Sequence, residues 1–77
     1  MKLKVNYWGD NETTYDSGIY ITIEDKGKIL WTSPWYETTE LYTGGEIKSL
    51  RQDVDDACQY LKINCETSGD IDQWKIK

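Results

Sequence analysis

The sequence predicts an α+β fold: an antiparallel sheet of three to five strands with one helix packed on one face, in the order β-β-β-(β)-α-β. Three observations carry that expectation. Short runs in the first half alternate apolar and polar residues with a period of two, as half-buried strands do. One stretch, Thr43 to Leu61, repeats apolar residues at steps of three and four (Ile47, Leu50, Val54, Ala57, Cys58, Leu61), which places them in one stripe of a 3.6-residue helix. With 77 residues the chain has room for one core and hence a single domain over 1–77, and a lone amphipathic helix among strands has a sheet face as its destination.

Taken in order, Lys2–Trp8 reads as the first strand, with Leu3, Val5 and Tyr7 on one face and Lys4, Asn6 and Trp8 on the other. Gly9 to Ser17 is polar, carries Asp10, Glu12 and Asp16, and reads as a hairpin loop longer than the usual two to five residues. Gly18–Glu24 is the clearest strand, with Ile19, Ile21 and Ile23 opposed to Tyr20, Thr22 and Glu24. The reversal that follows is expected to be a three-residue loop, Asp25-Lys26-Gly27, with Gly27 left-handed. That register pairs Ile23 with Ile29, Ile21 with Trp31 and Glu24 with Lys28, whereas a two-residue loop would set Ile23 opposite Leu30 and Ile21 opposite Thr32. Lys28–Ser33 is the third strand, ended by Pro34, which has no N–H for a ladder.

Trp35–Tyr42 reads as extended, a short edge strand, on its Trp, Tyr and Thr content. The helix is expected to start with Thr43 as N-cap and Glu46 three residues on, a capping box in which two side chains satisfy free N–H groups reciprocally. Gly44 and Gly45 weaken that first turn by up to about 1 kcal/mol each, which points to a tight turn or a close approach to the backbone. Asn64 is the expected terminator. After a loop over Glu66 to Asp70, Ile71–Lys77 reads as a last strand with Trp74 and Ile76 on one face.

Charge narrows the range of functions. Fourteen acids against nine bases give −5, and four of the lysines (Lys2, Lys4, Lys75, Lys77) lie at the chain ends; from Val5 to Trp74 the balance is −9. A body of that sign repels phosphate, which argues against direct nucleic-acid or anionic-membrane ligands and favours a basic partner. No apolar run approaches a membrane span, and the N-terminus lacks a signal-peptide core, so a cytoplasmic protein with reduced Cys58 and Cys65 is expected. A Cys58–Cys65 disulfide would require the chain to turn back sharply after the helix.

The chain has no histidine, which removes the commonest general base and metal ligand, and no nucleotide-binding, hydrolase or zinc-knuckle motif occurs. No enzyme activity, cofactor or metal is expected. The helix acids Asp53, Asp55 and Asp56 are explained by a solvated face, helped by an Arg51 to Asp55 pair at i,i+4. Taken functionally, the same acids are an anionic contact surface. Trp8, Tyr20, Trp35, Tyr36 and Tyr42 are rings whose burial the strand pattern does not explain, and Trp and Tyr dominate protein-binding hot spots. The expected function is therefore a non-catalytic acidic protein-binding module, with Asp53, Asp55, Asp56, Trp35, Tyr36, Glu37, Glu40 and Tyr42 as partner-binding residues. One concrete form is a small inhibitor that blocks a nucleic-acid-binding protein by presenting carboxylates where phosphates would lie. Small acidic proteins of phages and mobile elements, anti-CRISPR proteins among them, are an analogy in size and charge alone, since no motif in this chain matches such a family. The alternative is a self-associating structural module whose aromatic sheet face or edge forms a homodimer.

Overall fold

The computed structural model describes residues 1–9 and 17–77. The expected acidic hairpin loop, with Asp10, Glu12 and Asp16, lies almost wholly outside the described residues. Strand β1 (Lys2–Trp8) pairs antiparallel with β2 (Gly18–Asp25) in one continuous register from Lys2 opposite Glu24 to Trp8 opposite Gly18. Strand β3 (Lys28–Thr32) pairs with the second half of β2, and β4 (Tyr36–Glu37) with its first two residues, so β2 is the centre of a four-stranded antiparallel sheet. Helix α1 (Thr38–Tyr42) is a single short turn of chain, and α2 (Ile47–Tyr60) is the one long helix. A second ladder joins β5 (Cys65–Glu66) to β6 (Lys75–Ile76).

One face of the sheet is dry. Leu3, Ile19, Ile21 and Ile23 form a single apolar core with Leu41 of α1, with Leu50, Val54, Ala57 and Cys58 of α2, and with Ile71 and Trp74 near the C-terminus. The α+β expectation, an antiparallel sheet with the main helix against one face, describes the structure. The inner residues of β2 are isoleucines because a β-branched side chain fills a pleated, covered face at little conformational cost.

The β2–β3 turn departs from the expected register. The loop has two residues, with Asp25 opposite Lys28 and with Lys26 and Gly27 at φ of 53° and 80°, the pair of positive values a type I′ hairpin needs. That loop alone would set Ile23 against Leu30. The register shifts between Ile23 and Glu24, so Leu30 is an extra residue on β3 and Trp31 falls opposite Ile23. The bulge thus serves both constraints: the turn takes its favoured length and Trp31 stays on the apolar side. Ile29 instead faces Glu24 and is left exposed.

Beyond β3, Ser33 continues the ladder. Its N–H donates to the Ile21 carbonyl, its Oγ accepts the Ile21 N–H, both at 2.8 Å, and its hydroxyl donates to the Pro34 carbonyl at 2.9 Å. Ser33→Ala would strand the buried Ile21 N–H, for a cost of about 1–3 kcal/mol in urea unfolding. Threonine, which keeps the hydroxyl, should recover most of that loss.

The segment before the main helix is also corrected. Trp35–Tyr42 is extended only over Tyr36–Glu37 and then turns into α1, which buries Leu41. Thr43 is not the N-cap of α2: its hydroxyl and its N–H both point back to the Thr39 carbonyl, at 2.6 and 2.8 Å, and finish α1. The α2 N-cap is Glu46, which makes no side-chain cap hydrogen bond, so the capping box does not form. Gly44 and Gly45 are the corner between the helices. A Cβ at Gly44 would meet the Glu40 carbonyl at 2.8 Å, and Gly45 has φ +80°.

The far end of α2 closes with Lys62, not Asn64. Lys62 takes φ +58°, its N–H donates to Gln59, and the Ile63 N–H donates to Cys58, the two bonds of a Schellman motif. The expected C-terminal strand is likewise shorter. Ile71–Gln73 is a 3₁₀ turn, and only Lys75–Ile76 extends.

Candidate functional site

Most of the large side chains that the core leaves over gather on the outer face of the sheet or beside the C-terminal turn. On the outer face the register aligns Trp8 with Gly18 and Asn6 with Tyr20. Trp35, arriving after Pro34, closes its indole over Gly18; a Cβ there would lie 2.0 Å from Trp35 Cε2. Trp8 and Trp35 meet edge to face, ring centroids 6.0 Å apart at 84°. With Tyr20 they line an open cleft of about 370 Å³. Trp8 is 59% exposed and Trp35 48%, unusual values for rings of this size. Glu37, opposite Gly18 in β4, shares this face. Lys2 and Lys4 occupy the other end of the face, where Lys2 stands opposite Glu24 in the strand register.

The other expected contact residues are dispersed. Tyr36 points inward from β4, packs against the core and donates its hydroxyl to Asp53 of α2 at 2.5 Å. That bond to the carboxylate, followed by burial, pushes the Tyr36 phenol up to about 12. Asp55 accepts from the Thr67 hydroxyl at 3.0 Å and from the Cys65 thiol at 3.6 Å. Asp56 is exposed and accepts the Gln52 amide at 2.8 Å. Two of the three helix acids therefore serve internal hydroxyls and a thiol. Arg51 does not pair with Asp55. Its Nε donates to the Thr67 carbonyl at 2.8 Å, and its guanidinium lies 5.6 Å above the Trp74 ring.

Tyr42 is exposed on α1 in a separate cluster, its phenol raised by partial burial and by the charges of Asp72 and Asp70. In the same cluster Tyr7 donates to Asp72, and that bond is the main reason its phenol is pushed up to about 12. Glu40 is exposed and lies against Gly44. The structure thus brings together Trp35 and Glu37 of the expected set and joins them to Trp8 and Tyr20. Strand alternation leaves the burial of both rings unexplained, yet neither belongs to the expected contact set.

The tyrosine–carboxylate bonds make a titration prediction. Tyr7 and Tyr36 should release their protons near pH 12 while an unperturbed tyrosine does so near 10. Because the folded-state values are raised, the stabilisation from these bonds is intact below pH 10 and is lost as pH climbs from 10 through 12. Absorbance at the phenolate band should show a late phase, and Asp53→Asn should move the Tyr36 share of it to lower pH.

Both cysteines are free thiols in this structure. Burial, reinforced by a hydrogen bond with Cys65, pushes Cys58 up to about 12, so it stays protonated at neutral pH and packs as a small apolar group. Among the described residues no three Cys, Asp or Glu side chains cluster so as to hold a metal ion, and no helix is long and apolar enough to cross a membrane. No family model matches the chain, and neither a curated protein nor a solved structure matches it.

Proposed function

We propose that this protein is a non-catalytic protein-binding module that engages a basic partner through the outer face of its sheet. The observation that carries the reading is the exposed Trp8–Tyr20–Trp35 cleft. Folding would be served as well by polar residues at these outward positions, whereas exposed Trp and Tyr are the side chains that anchor protein interfaces. The acidic balance of the chain supplies long-range attraction for a basic surface. In the inhibitor form of this proposal, Glu37 and Asp56 present charge to the partner, since Asp53 and Asp55 are held by Tyr36 and Thr67.

The test is capture on the immobilised chain from a cell lysate, compared with a Trp8→Ala, Trp35→Ala double variant and with Asp56→Asn. A specific partner should be retained by the native chain, lost by the double variant and weakened by salt. Retention by the double variant sinks the reading. Sedimentation at high concentration addresses self-association: a dimer abolished by Trp35→Ala would assign the same face to a second copy instead.

A further inference from the structure

We infer that the corner formed by Trp8, Tyr20 and Trp35 receives an arginine side chain of a basic protein partner, its guanidinium on an indole face and its charge met by Glu37. This rests on the reading of that face as the contact surface and names the chemistry it selects. Two indoles held at 84° give two walls at a right angle, and Tyr20 supplies a third. A flat cation can lie on one wall while its edge meets another, an arrangement that attracts charge through the ring quadrupoles. Tryptophan is the strongest of the aromatic partners in such contacts, and both rings here are about half open to solvent.

The electrostatics of the face agree. Glu37 stands opposite Gly18, the residue the Trp35 ring covers, at the aromatic end of the sheet. Lys4 and Lys2 are four and six residues along β1 from Trp8, roughly 13 Å or more at strand spacing, so they do not compete for the site. Arginine suits the cleft better than lysine. Its guanidinium is planar, stacks on aromatic faces and sheds water more readily than an ammonium does. The same chain already holds one arginine in this way, Arg51 over Trp74.

The test uses the full chain with ¹⁵N-labelled indoles, whose four N–H resonances report on each tryptophan separately. The probes are acetyl-arginine amide, acetyl-lysine amide, acetyl-citrulline amide and acetyl-leucine amide. Arginine should shift Trp8 and Trp35 in a saturable way, leave Trp74 unmoved, and bind about threefold or more tightly than lysine. Citrulline, which keeps the shape without the charge, should bind far more weakly. Trp8→Ala should weaken arginine about fivefold while the chain stays cooperatively folded with only a small drop in its thermal unfolding midpoint, because that ring is outside the core and loses one ring contact. Glu37→Gln should weaken arginine and lysine alike. Citrulline or leucine binding as tightly as arginine overturns the assignment of arginine, yet it leaves the aromatic face as a contact surface. Silence of Trp8 and Trp35 toward all four probes overturns it too, and joined to partner capture that survives the double variant it removes the wider reading as well.

Discussion

Leu50→Ala is expected to lower the free energy of unfolding by about 2–5 kcal/mol, the cost of the lost side chain plus the cavity it leaves. Leu50 is completely buried on the stripe of α2 and belongs to the cluster that contains Ile19, Ile21 and Ile23. A domain of this length has a total stability of roughly 4–12 kcal/mol, so the loss is a large share of it. The variant should show a urea midpoint far below that of the native chain, or no cooperative transition. Asp56→Ala, on the exposed side of the same helix, should change stability by no more than about 0.5 kcal/mol. A Leu50→Ala cost below about 1 kcal/mol would mean that α2 does not seat on the sheet in the way described.

Gly18→Ala is expected to abolish partner binding and to cost about 1–3 kcal/mol, because the new methyl group must overlap the Trp35 indole. The backbone of Gly18 is ordinary strand, paired to Trp8 on one side and Glu37 on the other, so the restriction lies in the space above it. A Cβ at this position falls 2.0–2.2 Å from three atoms of the ring, so the ring must leave its seat on Gly18. The edge-to-face contact with Trp8 would then break and the cleft lose a wall. Two readouts separate the effects: circular dichroism should report a folded chain, while the Trp35 indole resonance should move to a solvent-exposed position and capture should fail. If Gly18→Ala binds normally, Trp35 is not part of the contact surface.

Some of this site was open to reading from the residues alone. Trp8, Tyr20 and Trp35 stand out because strand alternation puts the first two on the face away from the isoleucines and leaves the third unassigned. Their meeting was not legible, since it depends on β4 returning to pair with Gly18 and Ile19 after β3 has ended. Tyr36 and Tyr42 look equally available in sequence. The return of the chain turns Tyr36 inward to Asp53 and carries Tyr42 toward Asp70 and Asp72.

The same contrast holds for the fold. Periodicity is a local property, so β1, the isoleucine face of β2 and the apolar stripe from Ile47 to Leu61 are determined by the sequence itself. Where α2 begins is decided by competition. Thr43 has the residue pattern of a capping box, but burying Leu41 draws the preceding segment into α1, and the Thr43 hydroxyl then closes on Thr39. At the β2–β3 turn the favoured loop length and the apolar register conflict, and only the assembled sheet, by bulging at Leu30, satisfies both. The partners of the acids are decided the same way, by which hydroxyls the packed core brings within reach. Hydrophobic period is set by neighbours along the chain, whereas polar pairing and close approach are set by neighbours in space, and those exist only once the helix has settled on the sheet.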